Sequence, residues 1–227
     1  TDYGQINHTL KIDYVKPFSE KWEIEIGAQF TDNDIRNDFE VQDELDGLWV
    51  TDLGLTNDFD FRQKVLGLYG TGSFESEKWG IKLGLRREHT NIETNLINSN
   101  LSNNRDFADL FPTFHSSFKF VRKLSLQAGY SRRIYRPVLW QLNPFFNIRN
   151  NFNIRKGNPN LRPEYSDSYE LAAIYNISGL SINCSFYKLN TKDEITYVTT
   201  LQNNISETAP ENLGTNNANG IEVNGKL

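Results

Sequence analysis

Alternation of apolar and polar side chains, repeated in segment after segment, constrains this chain more than any other feature of its sequence. Trp22, Ile24, Ile26, Ala28 and Phe30 alternate with Glu23, Glu25, Gly27 and Gln29. Trp79, Ile81, Leu83 and Leu85 alternate with Gly80, Lys82, Gly84 and Arg86, and the pattern recurs over 124–131 and 180–186. Successive side chains of a β-strand point to opposite faces, so each segment has one apolar face and one wet face. A 3.6-residue helical period fits none of these segments. The chain is polar on average, with a mean hydropathy of -0.58 and 37% hydrophobic residues. No stretch approaches the roughly 20 apolar residues of a membrane-spanning helix. A strand that shows lipid only every second residue also scores as hydrophilic, so both a soluble β protein and a membrane barrel remain open. Aromatic content of 13%, Gly 15 and no Met lean toward β-structure.

The connections narrow the choice. Short polar links at 16–21, 75–78, 121–123 and 178–179 alternate with long ones, rich in Asn, Asp and Gly, at 31–58, 91–108, 137–163 and 200–216. All tight turns then fall at one end of the sheet. A soluble sandwich has no reason to sort its loops in this way; an outer-membrane barrel has tight periplasmic turns and long extracellular loops. Tyr14, Phe18, Trp22, Phe74, Trp79, Phe118, Phe120 and Tyr175 cluster beside the short links on the apolar parity, as a girdle at the lipid headgroups requires. The predicted fold is all-β, an antiparallel transmembrane β-barrel wall of about nine meandering strands that forms part of a barrel. The predicted strands cover 3–15, 20–31, 59–74, 78–90, 110–120, 123–133, 165–177, 180–199 with a break, and 220–227. The segment 59–74 is ambiguous, because Val65 and Tyr69 compete with Leu66 and Leu68 for the lipid face.

Little in the sequence points to catalysis. One cysteine, Cys184, excludes an intramolecular disulfide and a CxxC site, and the three histidines, His8, His89 and His115, lie far apart. No strained G-x-S-x-G turn accompanies His115, which falls on the polar parity of its strand, whereas Cys184 falls on the apolar one. The acids Asp32 and Asp34, or Asp43, Glu44 and Asp46, supply oxygen ligands for a hard cation, but without EF-hand spacing a solvated loop face is the simpler reading. The net charge of -5 argues against a nucleic-acid partner. The expectation is therefore a non-enzyme without cofactor or metal, whose first partner is outer-membrane lipid. The chain lacks an initiator Met and stops at Gly225-Lys226-Leu227 in mid-strand, so both ends read as cut.

The stretch 131–171 carries a resemblance. It contains Ser131-Arg132-Arg133-Ile134-Tyr135-Arg136-Pro137, then Leu142-Asn143-Pro144-Phe145, then Gly157-Asn158-Pro159-Asn160-Leu161-Arg162-Pro163-Glu164, then Ser168-Tyr169-Glu170-Leu171. It resembles the barrel of TonB-dependent receptors, and the upstream part is similar to the outer-membrane β-barrel family best known from Bacteroidetes. Further matches at 13–18, 84–90 and 220–223 keep the family's order along nearly the whole chain. The resemblance implies a receptor that takes up a large nutrient (a siderophore, glycan, peptide or cobalamin) across the bacterial outer membrane. It also implies contact with the TonB complex through a missing N-terminal part, and a surface lipoprotein as a further partner. A complete receptor barrel has about 22 strands around a plug. Residues 1–227 are thus expected to be part of one barrel domain, with the plug absent.

Physical reasons for the motif residues stand beside the resemblance. Pro159 and Pro163 lack a ladder donor and mark unpaired chain, and Gly157-Asn158 suits a turn needing positive φ. Arg162 and Glu164 could pair with each other or across the lumen. Arg136, Pro137, Asn143, Pro144, Gly157, Asn158, Pro159, Leu161, Pro163 and Glu164 are read as structural, fixing the approach to a strand. Trp140, Phe145, Phe146, Arg149, Phe152 and Arg155, in the long third loop, are the candidate ligand contacts, since exposed aromatic and Arg residues anchor sugars and peptides. Pinning the loop to the rim would use the same residues. Two rivals stay open. A small structural or adhesive barrel predicts an even strand number and closure, whereas a soluble β-sandwich binding module predicts that Leu83, Leu126 and Ile182 are buried.

Overall fold

The computed structural model describes residues 2–54, 56–145, 147–150 and 152–227, with backbone alone at 99 and 147–150. Its strands, in chain order, begin with β1 (Asp2–Pro17), β2 (Trp22–Phe39), β3 (Gln42–Leu45), β4 (Leu48–Thr51), β5 (Asn57–Glu75), β6 (Trp79–Leu96), β7 (Leu101–Val121) and β8 (Leu124–Tyr135). After the single-turn helix α1 (Leu139–Leu142) come β9 (Asn147–Asn150), β10 (Asn153–Arg155), β11 (Glu164–Ile177), β12 (Leu180–Lys192), β13 (Ile195–Gln202), β14 (Ile205–Asn212) and β15 (Thr215–Lys226). Nine of them form one sheet in the order β1-β2-β5-β6-β7-β8-β11-β12-β15, antiparallel throughout. Strands β1 and β15 are its two edges and do not pair with each other. The sheet is odd-numbered and unclosed, as part of a barrel wall is, and does not show the even number and closure expected of a small barrel.

The register assigns the faces. Outward from β2 point Trp22, Ile24, Ile26, Ala28 and Phe30, and the next outward residue is Asp32. On β5 the outward run from Phe74 through Leu68 and Leu66 ends at Lys64, which lies opposite Asp32. On β6 it ends at Arg87, on β7 at Asp106, on β11 at Asp167 and on β12 at Lys188. The apolar band next to the short turns is thus about ten residues long on each strand, the length that crosses a bilayer at a tilt. Leu83, Leu126 and Ile182 are 57%, 43% and 36% exposed on this face. A sandwich would have buried them, so the soluble reading fails. At the short-turn end Trp22 meets Phe74 at 4.7 Å and Trp79 meets Phe118 at 4.3 Å, cross-strand pairs of the aromatic girdle. Cys184 is exposed on the same face, between Ala173 and Val223.

Above the band the apolar parity changes sides. On β5 the inward residues are Tyr69, Val65, Phe61 and Phe59, so Leu66 and Leu68 hold the lipid face and the ambiguity of 59–74 is resolved. Phe59 and Phe61 join Ile35 of β2 and Ile92 and Leu96 of β6 in a buried cluster on the concave, luminal side, closed over by Leu139, Leu142 and Leu161. Phe59 and Leu161 are each 1% exposed. Burying side chains of this size stabilises by about 1.5–3 kcal/mol each.

Several expectations about the loops need correction: much of 31–58 is strand, in β2, β3, β4 and β5, and most of 200–216 lies in β13, β14 and β15. Residues 91–108 are not irregular chain: β6 and β7 stay paired from Trp79↔Phe118 to Leu96↔Leu101 and turn through a 3-10 segment, Ile97–Ser99. Asn91, Asn95, Asn104 and Asp106 stand on the outward parity above the lipid, while Ile92 and Leu96 on the inward parity are buried in the luminal cluster. Gly157 and Asn158 are not among the positive-φ residues, so their role is not a left-handed turn. The expected break in 180–199 falls at Asp193, with φ 55°, matched on the return strand by Gly214, with φ 60°. Beyond this hinge β13 and β14 leave the wall and build a separate four-stranded sheet, β13-β14-β10-β9, in which β10 runs parallel to β14.

Candidate functional site

The luminal face carries a connected polar track whose geometry begins with glycines. A Cβ on Gly27 would lie 2.4 Å from the Tyr69 ring, and one on Gly67 would lie 2.4 Å from the Arg86 guanidinium. Bare backbone at these two positions lets both side chains lie flat against the wall. The Tyr69 hydroxyl donates to Asp13, which also meets Lys11 Nζ at 2.9 Å. Arg86 stacks over Tyr69 at 5.3 Å and pairs with Glu88. Arg136, from the Ser131–Pro137 motif, pairs with the same carboxylate, and its Nε donates to Thr90 Oγ1 at 3.1 Å. Glu88 is 8% exposed and Thr90 is fully buried. Two guanidiniums on one buried carboxylate thus tie the start of the long third loop to β6. Removing the shared carboxylate would leave both guanidiniums without their counter-charge, which is costly in a buried site.

Residues Gly157 to Glu164 form a clamp with bonds in three directions. Toward α1, Gly157 N–H donates to the Asn143 carbonyl at 2.8 Å and Asn158 N–H to the Gln141 carbonyl at 2.6 Å. Toward β7, Asn103 Nδ2 donates to the Pro159 carbonyl at 2.9 Å and Arg105 Nη1 donates to the Leu161 carbonyl. Toward the hinge of β13 and β14, Asn158 Nδ2 donates to the Pro210 carbonyl at 3.1 Å, and Arg162 N–H donates to Asn212 Oδ1 at 2.7 Å. Arg162 also pairs with Asp193 at 2.6 Å, and Glu164 accepts from Ile195 N–H at 2.7 Å. Arg162 and Glu164 therefore do not pair with each other; both turn to the neighbouring loop. Asn143 Oδ1 accepts from Phe145 N–H across Pro144, and Pro137 is buried beside the cluster. Tyr165, next in the chain, donates to Asp109 Oδ1 at 2.9 Å; burial and that carboxylate push its phenol up to about 12.

The candidate ligand contacts do not form one patch. Trp140 is 61% exposed and stacks parallel to Tyr3 with ring centroids 6.3 Å apart. Arg155 lies over the Tyr197 ring at 5.8 Å. Phe152 is exposed and its carbonyl accepts from Ser206 N–H. Phe145 is partly buried and packs against the luminal cluster. Phe146 and the Arg149 side chain lie outside the described residues. Sequence reasoning missed Tyr3 and Tyr197 as ring partners and Glu88 as the anchor of Arg136. Only the inward parity of Glu88 hinted at its role. Asp32 of the acidic run is held by two hydrogen bonds from Arg62, and among the described residues no group of three acidic, His or Cys side chains is placed to hold a metal.

A girdled apolar band outside, a polar track inside and loops folded over the mouth define a segment of an outer-membrane β-barrel wall, located in the bacterial outer membrane. The chain belongs to the outer membrane protein beta-barrel family, whose model matches residues 1–227. Among solved structures it is similar to the copper transporter OprC, with a TM-score of 0.77 and 14% identity, covering 99% of this chain and 36% of that one. It is also similar to the FrpB iron transporter of Neisseria meningitidis (TM-score 0.66, 13% identity, 97% and 34% covered). The ferric-catecholate import receptor Fiu of E. coli K12 gives a TM-score of 0.66 at 10% identity, with 99% and 35% covered. The chain spans about a third of the length of these proteins. No curated protein matches it in sequence.

Proposed function

We propose that this wall belongs to a TonB-dependent receptor that takes up a nutrient too large for an open porin. The observation that carries the reading is the clamp of residues 157–164, which ties two long loops and β7 together over the luminal face. A structural anchor needs no ordered mouth; a receptor that captures a ligand does. The reading gains support from the similar structures, which are transporters and import receptors for copper or iron. Trp140 with Tyr3, and Arg155 with Tyr197, are the proposed first contacts, as rigid rings and a guanidinium at the rim. A sugar polymer or peptide suits such a rim, with a surface lipoprotein as partner and TonB contact made by another part of the parent chain. The segment supplies wall and loops rather than catalysis.

The test uses the full-length parent protein. In the source bacterium, deletion of its gene should abolish growth on one class of large nutrient, and an uncoupler should stop uptake in the complemented strain. In planar bilayers the protein should show no steady open conductance. Uptake that persists without a proton gradient, or a stable porin-like conductance, would sink the receptor reading.

A further inference from the structure

Pairing between β7 and β8 ends at Thr113↔Ser131; above this point β8 pairs with β11 alone and β7 with β6 alone. The far edge of β7 from Leu101 to Phe107 is therefore open: among the described residues, no strand and no loop backbone bonds to it from that side. An open edge presents N–H and C=O groups at strand spacing, and natural sheets blunt such edges with proline, lysine or a bulge. Residues 101–107 contain no proline and no lysine, and their register with β6 runs without a bulge. Pro112, which has no N–H to offer, stands only at the lower end of the open stretch. The one inward charge of the edge, Arg105, is engaged by the Leu161 carbonyl.

The clamp follows this edge at a distance. Side chains two residues apart on β7, Asn103 and Arg105, reach carbonyls two residues apart on the clamp, Pro159 and Leu161. The two segments thus run parallel, held apart by side chains where a ladder would use backbone. Between them lies a cavity of about 460 Å³, walled by Phe107, Leu142, Leu161 and Pro163. Its charges balance, Arg105 and Arg162 against Asp106 and Asp193, so it favours an uncharged, apolar group. We propose that the open edge of β7 is a strand-addition site for an extended peptide, whose backbone pairs with 101–107 while one apolar side chain enters the cavity. Another polypeptide is the occupant that matches alternating donors and acceptors at strand spacing and carries a side chain for a neighbouring pocket. A sugar polymer has hydroxyls but no such repeat. The edge stands at and beyond Asp106, the first outward charge of β7, and so meets water. The site concerns binding alone and stands whether or not the transport reading holds.

The probe is a capped peptide of about seven residues, alternating Thr and Val with a central Leu, added to the full-length protein in detergent micelles. It should bind saturably by calorimetry. Amides of 101–107 that exchange fast in the free protein should slow roughly tenfold or more in the complex, while the membrane band keeps its rates. A fully N-methylated peptide of the same sequence keeps the side chains and loses every backbone donor, so its affinity should fall roughly tenfold or more. Both measurements use the unaltered protein, so neither depends on the folding of a variant. Absence of saturable binding, or equal affinity of the two peptides, would overturn the proposal. So would full protection of 101–107 before any peptide is added, which would assign the edge to another part of the parent chain or to a second copy.

Discussion

Substituting Gly157 by Ala tests the clamp most directly. The new Cβ would stand 2.4 Å from the Asn143 carbonyl oxygen, 2.7 Å from that of Gln141 and 2.8 Å from Asn143 N. All three atoms are backbone, so no side chain can swing aside. The motif segment and α1 must separate, which strains or breaks the bonds from Gly157 and Asn158 to α1 at 2.8 and 2.6 Å. Overpacking costs about 1–3 kcal/mol, and the two weakened hydrogen bonds about 0.5 kcal/mol each. A total of about 2–4 kcal/mol results, confined to the extracellular side because the membrane band shares none of these contacts. Amide hydrogen exchange of the full-length protein in micelles reads this locally. Exchange across residues 139–161 should speed up roughly 30- to 700-fold, while the strands of the membrane band keep their rates. Unchanged protection at 139–143 would refute the argument that Gly157 is fixed by close backbone approach. Equal loosening of the whole wall would refute its locality.

Other predictions address the wall and its charges. Leu83→Arg, in mid-band, should cost about 2–4 kcal/mol and lower the folding yield into vesicles, whereas Asn91→Arg, beyond the band on the same face, should not; heat-modifiable gel mobility reads both. Glu88→Gln removes the shared partner of Arg86 and Arg136, and should cost about 3–5 kcal/mol by leaving two cations unmatched, seen as lost exchange protection at 136–142. Burial and the facing Asp38 raise the Asp58 carboxyl to about 6 from an ordinary value of 3.8. The folded protein therefore holds that proton more tightly than the unfolded chain does, and the contribution is full below 3.8 and lost as pH rises to about 6. Protection factors over 36–60 should fall across that window, and Asp58→Asn should flatten the dependence.

Much of the wall was legible because lipid enforces alternation: Trp22 to Phe30 and Trp79 to Leu85 name their face in sequence and keep it in space. That signal ends where the lipid ends. Above the band the outward face of β6 and β7 meets water and the inward face is only partly covered by Ile92, Leu96 and Phe107, so Asn91 to Ala108 has the composition of a loop while its backbone is paired. Val65 and Tyr69 leave the lipid face of their strand ambiguous in sequence, and Phe61 and Phe59 beyond them are apolar on the same inward parity because a loop covers them; no local pattern announces a cover more than 70 residues away. The motif was visible as a motif, yet its partners Pro210, Asn212 and Asp193 were not, since contacts of that separation leave no periodicity. Gly157 serves by close backbone approach and not by positive φ, and sequence alone does not distinguish the two uses of glycine.

The luminal cluster also acts as a check on register. Its receiving surface, Ile35, Phe61, Phe59 and Leu96, exists only when β2, β5 and β6 are aligned residue for residue. A slip of one residue in β5 would turn both phenylalanines outward and leave Leu139, Leu142 and Leu161 with nothing to cover. The lower strands tolerate such an error poorly, but lipid reads only polarity and does not compare one strand with the next. The mouth does compare them: its loop seats only on a wall whose strands agree, so a misaligned barrel is left open at the end that faces the outside world.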